Sequence, residues 1–344
     1  MRKLLILLIG LVTGVLSVEA AQPYTPLKKE KVVVDNDFCG DPDGLVQLVH
    51  QLLCPTCDIQ AIVGGHLADH AGFTQRKDQA TASCEKAHEV LQLLGMDGQV
   101  TVVPGAEHGL EAADKPIDSE GARAIIAAAK ECTPDKPLFV LCGGSLTNVA
   151  SAHLLDPTID DRIIVVWIGG QEYEGVGSYP PPGYSRVEYN LNLSIPAAQV
   201  IFNKSNMRLW QVPRDAYRQC LYSMAEMRQK FAATGKVGKY LTDQVEEVMK
   251  NCEKFNLPMG ETYVLGDSPL VLLSALRSGF EADPSSSFYK YVACPVINDD
   301  GSYGMNHQGR LIRVYTHLDT RLMFADLEAK LSALQRQEPA SHRM

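Results

Sequence analysis

The stretch Val32-Val33-Val34-Asp35-Asn36-Asp37-Phe38-Cys39-Gly40-Asp41-Pro42-Asp43-Gly44 decides the reading of this chain. A β-branched apolar run ends in four aspartates within nine residues, and Leu45, Val46, Leu48, Val49, Leu52 and Leu53 then recur at helical spacing. A short valine run closed by Gly and Pro has the pattern of a buried strand. The aspartates therefore fall at the carboxyl end of a strand, where open α/β sheets bind their ligands. Clustered carboxylates repel one another, and burial adds a desolvation cost. A hard divalent cation offsets both, because Ca²⁺ and Mg²⁺ take carboxylate oxygens. Asp and Gly are also ordinary turn and cap residues, so the cluster needs support from elsewhere in the chain.

The same strand–helix alternation continues. Strands are predicted at Asp58–Val63, Val100–Val103, Leu138–Cys142 and Ile163–Ile168, and helices at Gln75–Leu94 and Ser119–Glu131, with a further helix from Ser145. Near-continuous hydrophobic strands alternating with helices predict an α/β fold: a single domain with a mostly parallel central sheet flanked by helices. Downstream, helices are expected at Pro196–Asn203, Ser223–Lys250, Leu270–Arg277 and Arg321–Gln335, and strands at Tyr291–Ile297 and Leu311–Tyr315. The long connection from Gly170 to about Glu188, with Pro180-Pro181-Pro182-Gly183, exceeds a minimal connector and is a candidate functional loop. Residues from Gln337 onward form a polar tail.

The chain has 344 residues, 45% of them hydrophobic, enough for a sizeable core. A net charge of −9 without any Lys/Arg-rich tract argues against nucleic acid or anionic membrane as a partner. Met1-Arg2-Lys3, an apolar Leu4–Val18 run and Val18-Glu19-Ala20 form a signal-peptide pattern over residues 1–20. This predicts a periplasmic or secreted protein with no stable membrane association. Nine cysteines leave at least one free or paired between chains. Cys54-Pro55-Thr56-Cys57 has the spacing of a redox or metal motif, but no second CxxC exists and a zinc site needs partners from scattered positions. A structural disulfide or two partly buried thiols suit it better than redox catalysis.

Three more segments carry chemistry at the same sheet edge: Gly143-Gly144-Ser145-Leu146-Thr147-Asn148, Glu188-Tyr189-Asn190-Leu191-Asn192 and Gly266-Asp267-Ser268-Pro269. If extended, the second points Glu188, Asn190 and Asn192 one way. Singly, each segment also suits a helix cap.

With the strand-end aspartates and Ile168-Gly169-Gly170, these segments in this order resemble the nucleoside hydrolase family. The resemblance spans about Val32 to Leu270 and implies a nucleoside hydrolase-like domain over 21–344, its core at about 31–335. It further implies Ca²⁺-dependent cleavage of the N-glycosidic bond of ribonucleosides or related N-ribosides by a water on the metal. Asp37 is then a metal ligand that positions or deprotonates the water. Asp267 and the Gly143 carbonyl are further ligands, and Glu188 and Asn190 hold the sugar; Asn192, on the same side if the segment is extended, is a further substrate-binding candidate. Asp41 and Asp43 divide metal and sugar duties in either order, Asp43 being also a catalytic candidate. His66 stands where the family often has a substrate-binding Asn.

Two departures stand out. The family's adjacent Asp-Asp pair is replaced by Asp41-Pro42-Asp43-Gly44, and Gly266 stands where many members carry the His that protonates a purine leaving group. A hydrolase of a different glycoside, or a catalytically silent Ca²⁺-dependent sugar-binding protein, therefore competes with the leading reading. The retained Asp35, Asp37, Asp41, Asp43 and Asp267 favour catalysis. A small-molecule substrate is implied in each case, and the sequence leaves homo-oligomerisation open. If the leader reading holds, the mass of protein recovered from its native host gives an N-terminus at Ala21 or Gln22. A cytoplasmic species retaining Met1 contradicts it.

Overall fold

The structure, a computed structural model, describes residues 26, 30–68, 71–178, 180, 184, 186–281 and 283–337. The segment expected to be a leader, residues 1–20, the tail beyond Gln337 and Pro181-Pro182-Gly183 of the long connection lie outside the described residues.

The described residues form twelve strands: β1 (Glu30–Asn36), β2 (Cys57–Gly64), β3 (Val102–Pro104), β4 (Leu138–Cys142), β5 (Ile163–Ile168), β6 (Arg208–Val212), β7 (Leu221–Ser223), β8 (Thr262–Val264), β9 (Phe288–Ala293), β10 (Val296–Ile297), β11 (Tyr303–Gly304) and β12 (Leu311–His317). Eight of them form the central sheet in the order β3-β2-β1-β4-β5-β6-β12-β9. All pairings in it are parallel except β12 with β9. The chain winds outward from β1 to β3 and then returns to place β4 on the other side of β1. The carboxyl ends of β1 and β4 therefore flank a topological switch point, where a crevice opens. Asp35 pairs with Cys142 at that crevice, so the acidic run leaves β1 beside Gly143-Gly144 leaving β4.

Side-chain alternation along each strand divides the core in two. Val32, Val34, Phe139 and Leu141 meet Leu45, Leu48 and Val49 of the Asp43–Leu52 helix and Val90 and Leu91 of the Gln79–Leu94 helix. On the opposite face, Val33, Val140, Val165 and Trp167 meet Ile125 and Ala129 of the Glu120–Lys130 helix and Val149 and Ala152 of the Thr147–Leu155 helix. Both faces of the parallel sheet are covered, as continuous hydrophobic strands require. Ser119 caps the Glu120 helix by accepting from the Ala122 N–H at 3.1 Å, and Gly95 ends the Gln79 helix at φ +68°, a left-handed turn that Gly adopts without strain.

Several expected elements differ. The helix expected over Ser223–Lys250 is broken up: β7 ends at Ser223, helices run Met224–Lys230 and Lys236–Lys254, and a 3₁₀ turn, Ala232–Thr234, lies between them. Gly235 at φ +91° breaks the pattern between them. The strand expected at Tyr291–Ile297 divides at Cys294-Pro295, because Pro lacks the N–H that a continuing ladder needs. Strand β6 was not foreseen, although it lies between β5 and β12. Arg208 at its start and the fully buried Gln211 disguise it as polar sequence. Among the described residues no helix is long and apolar enough to cross a membrane.

Candidate active site

A cavity of about 340 Å³ opens at the switch point. Its lining includes Asp37, Asp41, Asp43, Gly143, Glu188, Asn190 and Asp267, so residues up to 230 positions apart in sequence share one wall. The volume lies within the ~300–1,000 Å³ of ordinary small-molecule sites. Each acid is held in place. Asn36 accepts from the Asp37 N–H and donates to Asp267 Oδ2, both at 2.9 Å. The Asp267 N–H donates to Asp43 Oδ2 at 3.1 Å, and the Tyr263 hydroxyl donates to Asp41 Oδ1 at 2.9 Å. One oxygen of Asp41 is thus committed at the half-buried margin. Asp37, Asp43 and Asp267 are the more deeply buried acids.

The sequence folds this way because small residues surround the acids. A Cβ at Gly143 would lie 2.2 Å from Asn36 Nδ2, and one at Gly144 would lie 3.0 Å from the Asp37 carboxyl carbon. Behind this layer, Asn148 donates to Asp35 Oδ1 at 3.0 Å, while Asp35 Oδ2 is buried without a hydrogen-bond partner among the described residues. Trp167 Nε1 fixes the β4 turn by donating to the Gly144 carbonyl at 3.0 Å.

Glu188 is the N-cap of a short helix, Tyr189–Leu193, rather than part of an extended segment. Its Oε2 accepts from the N–H groups of Gly170 (2.7 Å) and Leu191 (3.0 Å), and its Oε1 from the Tyr217 hydroxyl (3.0 Å). Asn190 uses its amide nitrogen on the carbonyls of Gly143 and Ile168, both at 2.8 Å, which leaves its Oδ1 as an acceptor. The helical turn separates residues two apart, so Asn192 is exposed and absent from the cavity wall. That corrects its expected place beside Glu188 and Asn190.

His66 is also displaced from its expected role. It is buried and does not line the cavity. Nδ1 lies 3.0 Å from the Leu67 carbonyl, which can only accept, and Nε2 lies 2.9 Å from Thr147 Oγ1 and 3.0 Å from Ser145 Oγ. His66 thus braces the turn after β4 from behind. The cavity also takes Ile168 and Tyr189 of the quoted motifs, and Leu67, Phe73, Tyr217, Arg218 and Val264, which sequence reasoning did not single out. Tyr217 and Arg218 follow β6, and recognition of that strand would have placed them at the carboxyl edge.

The electrostatics follow from burial. Asp37 is pushed up to about 7, first by burial and then by the charge of Asp41. Asp35 also rises to about 7 through burial. Burial raises Asp43 and Asp267 well above the usual carboxylate range, with neighbouring carboxylates adding to it, and raises Asp41 and Glu188 less. Among the described residues lining the cavity, the exposed Arg218 is the one cation. The donors facing inward are oxygens alone, and the Gly143 carbonyl keeps a second lone pair beyond its bond from Asn190. Such a donor set fits a hard divalent cation and disfavours a soft one.

A sequence-family profile described as inosine-uridine preferring nucleoside hydrolase matches residues 34–324. No match was found among curated proteins. Among solved structures, the fold is similar to a purine-preferring ribonucleoside hydrolase from Gardnerella vaginalis, with a TM-score of 0.69 and 18% identity over 90% of this chain and all of that one. A plant nucleoside hydrolase, PpNRh1, gives 0.67 and 17% identity over 88% of this chain and 99% of its own. An inosine-uridine preferring nucleoside hydrolase from Bacillus anthracis gives 0.63 and 12% identity over the same shares, 88% and 99%. These identities make the structures evidence of fold.

The raised carboxylates set a pH dependence. Unfolded aspartates lose their protons near pH 3.9, whereas the folded site, free of any cation, keeps its protons to about 7. The cation-free fold is therefore favoured in acid, and that advantage is lost as pH rises through about 7. Melting curves in chelator and in excess Ca²⁺ should differ little at pH 5 and increasingly towards pH 8. An increment that shrinks with rising pH contradicts this.

Proposed function

Because the chain belongs to the nucleoside hydrolase family, and is accordingly a hydrolase of N-glycosyl compounds, we propose that it cleaves ribonucleosides or related N-ribosides with the aid of Ca²⁺. The supporting observation is the convergence of Asp37, Asp41, Asp43, Glu188, Asn190 and Asp267 on one cavity. Asp37, Asp43, Asp267 and the Gly143 carbonyl would hold the ion, with Asp41 at its margin. A bound divalent cation would neutralise these carboxylates and acidify the attacking water.

The chain's own residues do the rest. Asp37, oriented by Asn36, accepts the proton of the water. Glu188 and the free Oδ1 of Asn190 accept hydrogen bonds from the sugar hydroxyls and fix the ring against the acids. Positive charge develops on the sugar as the N-glycosidic bond lengthens, and the surrounding carboxylates stabilise it electrostatically. The base then lies towards Phe73, Tyr189 and Tyr217, whose rings suit stacking on a heterocycle.

Leaving-group assistance is the weak point of this site. Gly266 offers no acid, and among the described residues no His lines the cavity. The proposed enzyme should therefore turn over p-nitrophenyl riboside faster than inosine, lose both activities in chelator and regain them with Ca²⁺. A Cβ at Gly266 would meet Asp43 Oδ2 at 3.3 Å and Tyr217 Cδ2 at 3.4 Å, so a side chain enters with small adjustment. Positioned general acids contribute ~10²–10⁴-fold, so Gly266→His should raise inosine turnover by about tenfold or more and leave the activated substrate nearly unchanged. Turnover insensitive to chelator overturns the calcium reading. Failure to release sugar from any N-riboside overturns the activity.

A further inference from the structure

The motif Cys54-Pro55-Thr56-Cys57 has no part in the cavity. It lies at the other end of the sheet, where Cys57 opens β2 and pairs with Glu30 at the start of β1. All nine cysteines are free thiols, and Cys54 is buried. His50, four residues earlier in the last turn of the Asp43–Leu52 helix, is likewise buried, and Asp326 approaches from the Thr320–Gln337 helix. One ligand atom each from His50, Cys54 and Asp326 lies within 4.8 Å of the others. His50 Nε2 is 2.8 Å from Asp326 Oδ2, and the buried Nδ1 has no hydrogen-bond partner among the described residues.

We propose that His50, Cys54 and Asp326 form a second metal site, for a borderline divalent cation such as Zn²⁺, with Cys57 supplying the fourth ligand. The spacing His-x₃-Cys-x₂-Cys places nitrogen and sulfur ligands as zinc sites do, and a carboxylate completes the set. The position already attracts a cation: Lys330 Nζ lies 2.5 Å from Asp326 Oδ2 and 3.0 Å from Cys54 Sγ. That ammonium stands in for the ion. Binding deprotonates the thiols, releases the protons to solvent and turns the Lys330 side chain outward, where it is already one-fifth exposed. Cys57 Sγ leaves its 2.8 Å contact with Gln51 Nε2 to reach the ion. Sulfur and nitrogen ligands separate this site from the oxygen-only cavity, so the two select different metals. An ion here would tie the helix that follows the catalytic aspartates to the helix at Thr320–Gln337.

Co²⁺ titration of the full chain, reduced and freed of metal, tests this. A thiolate-to-cobalt charge-transfer band reports sulfur ligation and is silent for the carboxylate site. The band should saturate at one equivalent, vanish in Cys54→Ser, form at least tenfold more weakly in Asp326→Asn and persist in Asp37→Asn. Lys330→Met, which removes the competing ammonium, should tighten it. Each variant is first shown to melt cooperatively, and the conservative Asp326→Asn serves if Cys54→Ser fails to fold. No band at saturating Co²⁺, a band unchanged in either ligand variant, or weaker binding in Lys330→Met overturns the proposal.

Discussion

Mutual repulsion among buried carboxylates is the constraint on which the rest of this structure depends. Asp37, Asp43, Asp267 and Glu188 are each at least nine-tenths buried around one cavity, and Asp41 stands at its margin. Coulomb energies at ~4 Å in a protein interior are several-fold larger than in water, so such a group cannot stay ionised without compensation. The chain supplies some of it as hydrogen bonds from Asn36, Tyr263, Tyr217 and the N–H groups of Gly170 and Asp267. Arg218 at the rim is too exposed to supply the rest. Protons or a cation must do so. The shifts run upward through burial first and, at Asp37, Asp43 and Asp267, through neighbouring carboxylates second.

The surrounding sequence serves that constraint. Valines drive β1 into the sheet centre so that the aspartates emerge at the switch point. Gly143 and Gly144 carry no Cβ because Asn36 and Asp37 occupy the space where one would sit. Trp167 and His66, buried behind the β4 turn, contribute hydrogen bonds that fix its conformation. The site is thus a property of the β1 and β4 ends, and the elements added after β6 close the cavity with Tyr217, Val264 and Asp267.

Much of this was legible in the sequence where one physical pattern governed. Leu138–Cys142 and Ile163–Ile168 are wholly apolar, and both strands were placed to the residue. The Asp, Gly and Asn segments were legible because turn chemistry and carboxylate clustering coincide there. The misses have a common cause in that tertiary contacts satisfy polar groups which sequence alone reads as surface. Gln211 is buried in β6 because its amide bonds to the Gly169 carbonyl and the Tyr303 hydroxyl, both at 2.9 Å. His66 was credited to the ligand because its partners Ser145 and Thr147 lie about eighty residues away. Asn192 was misplaced because capping by Glu188 turns the segment into a helix, whereas alternation assumed a strand. The Cys54–Cys57 spacing was visible, but its partners His50 and Asp326 meet it only through the fold.

Calorimetric titration of the metal-freed protein with Ca²⁺ near pH 7, in buffers of different ionisation heat, tests the central claim most directly. If crowded carboxylates retain protons until a cation replaces them, one equivalent of Ca²⁺ binds, protons are released, and Asp267→Asn abolishes both signals. Binding without proton release, or binding unchanged in that variant, would contradict the account.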